Sequence, residues 1–318
     1  MRIRRRAAAT ALLSVAALAG AVALVSGLIQ REAAPDEPGT AAPGPSPTPG
    51  ASVAPTPEPS TSPPPGSGPG PAPTGGAVEP PPAPAASHWK PAVGLAWQWQ
   101  LTQPVDQTIN VPVYDIDGFD NSAAVVRSLH AKNRKVICYV EVGAAENFRP
   151  DYKQFPASVL GRENGWAGER WLDIRQTALI EPIVAKRFDM CRTKGFDAIE
   201  PDLMDNFANE TGFPITAADQ LRWNTRIAAM AHARGLAVGL KNDAEQVPQL
   251  VKSFDFAVVE ECAEYSECAE YEPFVRAGKP VFHAEYALQP PQFCPEAKRL
   301  RFSSIRKNLR LDSRRTSC

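Results

Sequence analysis

Residues 194–206 read Lys-Gly-Phe-Asp-Ala-Ile-Glu-Pro-Asp-Leu-Met-Asp-Asn, and the predicted architecture is built outward from them. Gly195 ends a predicted helix, and a short apolar run follows it. Four polar side chains then occur within seven residues: Glu200, Asp202, Asp205 and Asn206. Carboxylates are rarely buried unless they are paired or functional. A buried-type strand that leads into such a cluster indicates a barrel strand that delivers acids to a site, and a solvated acidic turn is the alternative.

The segments on both sides alternate between strand-like and helix-like patterns, as in a parallel α/β sheet. Seven further strands are predicted at Val93–Leu101, Val111–Asp117, Lys135–Gly143, Leu236–Asn242, Asp255–Glu261, Pro280–Tyr286 and Arg301–Leu311. Helices are predicted at Ser122–Lys132, Glu181–Thr193, Thr216–Arg234 and Ala244–Ser253, the third with a variant capping box. Residues 88–318 have the length of one (β/α)8 domain, so the expected fold is α/β, a single (β/α)8 TIM barrel.

The residues before this domain have a different composition. Met1–Arg6 is basic and residues 7–30 carry no charge, so residues 1–30 are predicted to be a signal peptide or an N-terminal membrane anchor. Residues 31–87 are rich in proline and contain no aromatic side chain, which predicts a disordered, Pro-rich linker. We therefore expect a secreted or cell-surface protein, which residues 7–30 would tether to the membrane if they are not cleaved.

The net charge and the cysteine content limit the partners and cofactors that we expect for this protein. The formal net charge is −1, so there is no basic field for nucleic acid, and we expect a monomer. The six cysteines all follow residue 137, and an even count in an exported chain favours disulfides over free thiols. Cys262–Cys268 would close a short loop, Cys294–Cys318 would hold the C-terminus, and Cys138–Cys191 would remain, but the pairing stays open. No cofactor and no metal are predicted, because the cysteines and four scattered histidines fit no zinc spacing.

Strands two to seven of this set end in polar residues, and a parallel barrel brings those ends to one face. They are Asp117, Glu141, Glu200 with Asp202, Lys241 with Asn242, Glu260, and Glu285. One such acid is a turn signal, whereas the repeated pattern indicates a cleft. The long loop after the third strand, which holds Trp166, Glu169 and Trp171, is expected to line it.

Several carboxylates beside aromatic rings suit glycoside hydrolysis. In that reaction one carboxyl group protonates the leaving oxygen, and a second attacks the sugar or activates water. A Ca²⁺ or Mg²⁺ site is the alternative interpretation of the acids. Lys241 and Arg149 argue against it, because these side chains would compete with a metal cation.

Eight motifs carry a resemblance to a known family. They are Trp97-x-Trp99, Val113-Tyr-Asp-Ile-Asp117, Ile137-Cys-Tyr-Val-Glu-Val-Gly143, Glu169-Arg-Trp-Leu-Asp-Ile-Arg175, Gly195-Phe-Asp-Ala-Ile-Glu-Pro-Asp-Leu-Met-Asp205, Gly239-Leu-Lys-Asn242, Val258-Val-Glu-Glu-Cys262 and Lys279-Pro-Val-Phe-His-Ala-Glu-Tyr286. As a set they resemble the endo-α-1,4-polygalactosaminidases of glycoside hydrolase family 114. The resemblance implies a (β/α)8 barrel that cleaves an extracellular α-linked galactosamine polysaccharide. Deacetylated galactosamine is cationic, and an acidic cleft would attract it.

The resemblance also implies residue roles: Asp202 as nucleophile and Glu260 as general acid/base of a retaining reaction. Glu200 and Glu261 are the alternatives on the same two strands, and strand alternation does not choose between Asp202 and Glu200. The predicted substrate contacts are Asp117, Tyr139, Glu200, Lys241, Asn242 and Glu285, with Trp97, Trp171 and Tyr286 as stacking rings. For Trp97 a core position is the alternative. Two other functions stay open, a barrel that binds amino-sugar polymer without cleaving it and a glycosidase for a different α-linked polymer.

Overall fold

The computed structural model describes residues 87–318, which contain twelve strands in two sheets. In chain order the strands are β1 (Trp97–Gln100), β2 (Val113–Asp117), β3 (Lys135–Glu141), β4 (Ala144–Glu146), β5 (Leu160–Glu163), β6 (Glu169–Leu172), β7 (Ala198–Asp202), β8 (Ala237–Lys241), β9 (Phe256–Glu260), β10 (Val281–Glu285), β11 (Ser303–Arg306) and β12 (Thr316–Ser317). The main sheet has the order β1-β2-β3-β7-β8-β9-β10-β11-β12. Its first eight strands are parallel, and each lies within one of the eight strands predicted from the sequence.

The main sheet curls so that its two edges approach each other. Within residues 87–318 no ladder joins β1 to β11, but Trp97 Nε1 donates to the Ser303 carbonyl at 2.8 Å. The Leu101 amide also donates to the Leu311 carbonyl at 3.0 Å. The α/β prediction is confirmed: the structure is a curled sheet of eight parallel strands, and these hydrogen bonds connect its two edges without a strand ladder.

Among residues 87–318, six α-helices cover the outside of the main sheet. They are α1 (Ala123–His130), α2 (Thr177–Lys194), α3 (Ala217–His232), α4 (Val247–Leu250), α5 (Glu272–Arg276) and α6 (Pro290–Arg299). The predicted capping box starts α3, where the Asp219 amide donates to Thr216 Oγ1 and the Thr216 amide donates to Asp219 Oδ2. Gly195 ends α2 with φ of 92°, as predicted from its lack of a side chain. The predicted helix at Ala244–Ser253 is only a 3₁₀ turn followed by α4.

The inside of the barrel is filled with large side chains. Trp97 is 0% exposed and stacks on Trp99 at 5.7 Å between ring centroids. Phe256 and Phe282 pack edge-on beside them at 5.6 Å. Burying one such ring stabilises the fold by about 1.5–3 kcal/mol. Because the interior is packed, it has no room for a ligand, whereas the rim where the strands end lies outside this packing.

The sequence did not predict the second sheet. It has the antiparallel order β4-β6-β5 and lies between β3 and α2, in the segment predicted to be a long loop. We call residues 144–172 the excursion. In the described region its three strands pair only with one another. Each has only three or four residues, too few to show the alternation that predicts a strand.

Three disulfides join all six cysteines. Cys138 in β3 is bonded to Cys191 in α2, Cys262 to Cys268, and Cys294 in α6 to Cys318. The predicted use of cysteines as disulfides is therefore confirmed. Such bonds typically stabilise a domain by about 2–4 kcal/mol each and form in oxidising compartments.

Among residues 87–318, no helix combines the length and apolar character needed to cross a bilayer. The predicted signal or anchor at residues 1–30 lies outside the described residues. The predicted linker at residues 31–87 does too, apart from residue 87.

Candidate active site

Three polar side chains meet where adjacent strands end. Asp202, Lys241 and Glu260 are the last residues of the neighbouring strands β7, β8 and β9. The register pairs Lys241 with Val258, so Glu260 lies two residues further along β9 on the same side of the strand. Lys241 Nζ lies 2.9 Å from Asp202 Oδ1 and 3.1 Å from Glu260 Oε2. Because Asp202 Oδ1 and Glu260 Oε2 contact the same nitrogen, the distance between these two oxygens cannot exceed the sum of the two contact distances.

The two acids and Lys241 differ in solvent exposure. The Asp202 and Glu260 side chains are 16% and 25% exposed, whereas Lys241 is 2% exposed. Both carboxylates can therefore reach a ligand in the cleft, while the ammonium group supports them from below. Lys241 Nζ also lies 4.8 Å from the centre of the Trp99 ring, an arrangement that favours a cation.

Each carboxylate also accepts a hydrogen bond from a tyrosine hydroxyl. Tyr139 donates to Asp202 Oδ2 at 2.7 Å, and Tyr286 donates to Glu260 Oε1 through a short hydrogen bond. Burial, and then the neighbouring carboxylate charge, raise the pKa of both tyrosines well above the ordinary range. Both phenols therefore keep their protons and act as donors. Asn242 Nδ2 adds a donor to Glu260 Oε2 at 3.3 Å.

Asp202 is held in its ionised form. Burial acts to raise its pKa, but the charge of Lys241 and the hydrogen bonds to its oxygens lower the pKa below the ordinary value. One of those bonds comes from the Leu203 backbone amide at 2.8 Å. For Lys241, burial acts to lower the pKa, and the surrounding carboxylates raise it well above the usual range. The centre therefore contains an anionic Asp202 and a cationic Lys241.

The backbone turns sharply after each of these strands. Leu203, Asn242 and Glu261 have φ values of 59°, 49° and 55°, in the left-handed region that residues other than glycine rarely adopt. A Cβ on Gly143, two residues after β3, would lie 1.7 Å from the Leu203 carbonyl oxygen. Strained backbone of this kind occurs frequently at functional sites. Here the turns bring the strand ends together at the rim.

A pair of buried acids lies beneath the centre. Glu200 is 0% exposed and accepts from Lys241 at 3.0 Å, and Asp115 lies against it. Burial raises the pKa of Glu200 to about 7. Burial, together with the Glu200 charge, raises the pKa of Asp115 well above its ordinary value. The pair thus retains a proton at neutral pH and supports Lys241 from inside the barrel.

The cleft above the centre has a volume of about 340 Å³, within the range of small-ligand sites. It is lined by Trp99, Leu101, Asp117, Asp120, Tyr139, Glu141, Glu146, Arg149, Trp166, Glu169, Asp202, Leu203, Asp205, Lys241, Asn242, Glu260, Tyr286, Leu309, Arg310 and Leu311. Acids outnumber cations in this lining, so the cleft favours a positively charged ligand.

One end of the cleft concentrates three acids. Glu141 at the end of β3 meets Glu146 and Glu169 of the excursion, with carboxylate oxygens within 4.8 Å of one another. Burial, followed by the charge of Glu146, raises the pKa of Glu141 well above its ordinary value. Arg149 neutralises part of this cluster, with contacts of 2.8 Å to Glu146 and 2.6 Å to Asp117. We call Glu141, Glu146 and Glu169 the acidic pocket, which has the chemistry to hold a cation.

The structure brings together seven of the predicted site residues: Asp117, Tyr139, Asp202, Lys241, Asn242, Glu260 and Tyr286. The other four do not line the cleft. Glu200 lies below it, and Glu285 is 0% exposed with its carboxylate against His283 and the Ala263 amide. Trp97 is in the barrel core, and Trp171 is 6% exposed in β6. Neither tryptophan offers a ring face to a substrate, because both are packed within the protein.

Sequence reasoning did not place Trp99 at the cleft, and it did not predict that Glu141, Glu146 and Glu169 meet in the acidic pocket. Trp99 points to the same side of β1 as Trp97, and only its position nearer the strand end places it at the cleft. Glu141 ends a predicted strand, which was the available signal. Trp166, 58% exposed on the excursion, was predicted only as part of a cleft-lining loop.

A curled parallel sheet whose strand ends hold two apposed carboxylates defines the class: the barrel-type glycoside hydrolases. Sequence comparison then gives the family. The sequence model of glycoside-hydrolase family GH114 matches residues 78–318, and this chain belongs to that family and is a glycosidase.

Two solved structures and one further sequence are similar to this chain. Aspergillus fumigatus Ega3, solved in complex with galactosamine, is 37% identical, with a TM-score of 0.70 over 73% of this chain and 98% of that one. The glycoside hydrolase domain of Pseudomonas aeruginosa PelA shares the fold, with 13% identity and a TM-score of 0.55 over 71% and 99% of the two chains. An uncharacterized protein of Deinococcus radiodurans is 28% identical over 250 residues, 71% of this chain and 80% of the relative.

Proposed function

We propose that this glycosidase cleaves α-1,4-linked galactosamine polymers outside the cell, with retention of configuration. The single observation that carries the proposal is the contact of one buried lysine with two partly exposed carboxylates. Lys241 holds Asp202 and Glu260 on the same side of one cleft, as a pair of acids acting on one glycosidic bond must be.

The spacing of the two acids supports retention. Retaining enzymes hold their carboxyl groups about 5–5.5 Å apart, whereas inverting enzymes need about 6.5–9.5 Å to admit a water. Because Lys241 Nζ lies 2.9 Å from Asp202 Oδ1 and 3.1 Å from Glu260 Oε2, these two oxygens are closer together than the inverting separation, which agrees with retention.

In the proposed reaction, Asp202 attacks the anomeric carbon while Glu260, in its protonated form, gives its proton to the departing glycosidic oxygen. The product is a covalent glycosyl ester on Asp202. Glu260 then takes a proton from a water molecule, whose oxygen displaces Asp202 and restores the original configuration. Tyr139 and Lys241 stabilise Asp202 as the leaving carboxylate in this second step.

The acidic pocket supports a cationic substrate. A deacetylated galactosamine unit carries an ammonium group, and Ega3 was solved with galactosamine bound. An ammonium beside Glu141, Glu146 and Glu169 would offset the crowding of their charges, because an opposite charge favours the ionised carboxylate. Trp166, exposed at the same end of the cleft, offers a ring face for stacking.

An extracellular location agrees with the three disulfides, which form in oxidising compartments. It also agrees with the basic and apolar composition of residues 1–30. A polymer too large to enter a cell would be met there.

The test is incubation of the purified full chain with α-1,4-galactosamine oligomers, their fully acetylated counterparts and an α-1,4-glucan. We expect shortening of the galactosamine oligomers by mass spectrometry, and NMR should show the α-anomer as the first product. Asp202→Asn should abolish the shortening. First-formed β-anomer would exclude the retaining route, and cleavage of the glucan alone would favour the alternative of a different α-linked polymer.

A further inference from the structure

The barrel face opposite the cleft carries a second cluster of ionisable side chains. His88 lies just ahead of the barrel, His232 is the last residue of α3, and Asp255 directly precedes β9. We propose that these three residues bind a divalent transition-metal ion of the zinc type. The proposal concerns a site that the glycosidase reaction does not use, and it stands independently of the proposed substrate.

The three side chains converge on one point. His88 Nε2 lies 3.0 Å from Asp255 Oδ1, and His232 Nε2 lies 2.8 Å from Asp255 Oδ2. Ligand atoms from all three residues lie within 4.8 Å of one another. Donor atoms around a tetrahedral zinc ion are roughly 3.3 Å apart, given zinc–ligand distances of about 2.0–2.2 Å. The set is therefore within reach of coordination once one imidazole turns out of its stack with the other.

The two imidazole rings are stacked, and because each Nε2 lone pair lies in the plane of its own ring, one ring must turn out of the stack to share an ion with the other. They stack with centroids 4.3 Å apart and an interplanar angle of 14°, and both present Nε2 to the same carboxylate. Asp255 is 4% exposed and also accepts from the Val238 amide at 3.1 Å, which fixes its orientation. Two imidazoles and one carboxylate, with a fourth position open to water, are a donor set suited to zinc.

Lys90 indicates where the ion would sit. Its ammonium nitrogen contacts His88 Nε2 and lies 2.7 Å from Asp255 Oδ1. His88 Nε2 thus faces a donor on one side and an acceptor on the other, and a single nitrogen satisfies only one of them. A metal ion in place of the ammonium would accept lone pairs from both His88 and Asp255. The Lys90 side chain is 70% exposed, so it can move into solvent with little loss.

The same face provides a matched comparison. Asp197, which precedes β7, lies 2.8 Å from His130 Nε2 and 2.6 Å from Lys135 Nζ, and it accepts from the Val136 amide at 2.9 Å. This group has the carboxylate, the lysine and the backbone donor, but only one imidazole in contact. It is an ion pair without the second nitrogen ligand, so the histidine count is the feature that distinguishes the two groups.

Metal binding would link three separate segments of the chain and stabilise the folded state. An ion held by His88, His232 and Asp255 would join the start of the domain to the end of α3 and the start of β9. Because metal bonds form only in the folded state, they would add to its stability.

The experiment uses the full chain, stripped with a chelator and titrated with zinc chloride by calorimetry near neutral pH. We expect one zinc per chain with a Kd of about 1 µM or below, and a higher Tm with zinc than with the chelator. Lys90→Gln should tighten binding, because it removes the competing ammonium group.

His88→Gln and His232→Gln should each weaken zinc binding by about 100-fold, while His130→Gln should leave it unchanged. His88 lies outside every helix and strand, so its replacement tests the ligand without disturbing the barrel. Cobalt should give the visible absorption of a tetrahedral site in the wild type and lose it in both ligand variants. Absence of binding, or an equal loss in His130→Gln, would overturn the proposal.

Discussion

Strands β7 and β9 each have an acid at both ends, and the two ends of the barrel use these acids differently. At the starting ends, Asp197 and Asp255 each have their own histidine and lysine partners. At the finishing ends, Asp202 and Glu260 share one cation, Lys241, and open onto a cleft. The comparison shows that an acid at a strand end is not by itself a sign of catalysis. What distinguishes the finishing ends is a shared, buried cation below two accessible carboxylates.

The largest effect should come from the finishing end of β7. Asp202→Asn removes the carboxylate that we propose as the nucleophile, and we expect kcat to fall by about 10⁴-fold or more. The matched change at the starting end, Asp197→Asn, should leave kcat within about twofold and instead lower the free energy of unfolding by about 1–3 kcal/mol. Kinetics and urea denaturation on both variants make the measurement. Comparable loss of activity in the two variants would contradict the division of roles.

Removing Lys241 should take away the feature that distinguishes the finishing ends of β7 and β9 from their starting ends. In Lys241→Met, Asp202 and Glu260 face each other without an intervening charge, and we expect kcat/KM to fall by about 10²–10³-fold. The loss of Lys241 also raises the pKa of Asp202, because that charge is a principal cause of its low value. The acidic limb of the pH–rate profile should therefore move to higher pH. An unchanged acidic limb would show that Lys241 does not set the ionisation of Asp202.

At the starting end of β9, Asp255→Asn should lower the free energy of unfolding by about 2–4 kcal/mol without changing kcat. Burial acts to raise the pKa of Asp255, but hydrogen bonds from its histidine and lysine neighbours lower it below the ordinary value. Its stabilisation is therefore present above the unfolded-state pKa and is lost as the pH falls through the folded-state pKa. Chelator-treated protein, unfolded in urea at neutral and acidic pH, should show the difference shrinking in acid.

The smallest effect concerns Glu261, the alternative acid beside Glu260. Burial, and then nearby acids, raise its pKa to about 7. Its ionisation therefore favours the unfolded chain as the pH rises from about 4.5 to 7. Glu261→Gln should be more stable than the wild type at pH about 8 and close to it at pH about 4, with kcat retained. Lost activity would move the acid/base role from Glu260 to its neighbour.

Much of this arrangement followed from the sequence. Alternating patterns located all eight parallel strands, because each strand is a short apolar run bounded by helix signals. Their polar ends pointed to Asp202, Lys241 and Glu260, since parallel strands must finish at the same rim. The capping box and Gly195 marked helix ends, because their signals lie within a few residues.

The remainder depends on contacts between distant residues. Strand alternation gives Trp97 and Trp99 the same side, but depth along the barrel decides that only Trp99 reaches the cleft. Glu200 and Asp202 differ in the same way, one below Lys241 and the other at the rim. His88 and Asp255 are 167 residues apart, so no local spacing could reveal their cluster.

The excursion has a consequence for how related enzymes can diverge. It is a self-paired sheet inserted between β3 and α2, and it brings Glu146, Trp166 and Glu169 to the cleft without supplying Asp202, Lys241 or Glu260. A segment of this type can be exchanged while the proposed catalytic acids stay in place. Grafting experiments that aim to change the sugar preferred by this barrel should therefore begin at residues 144–172.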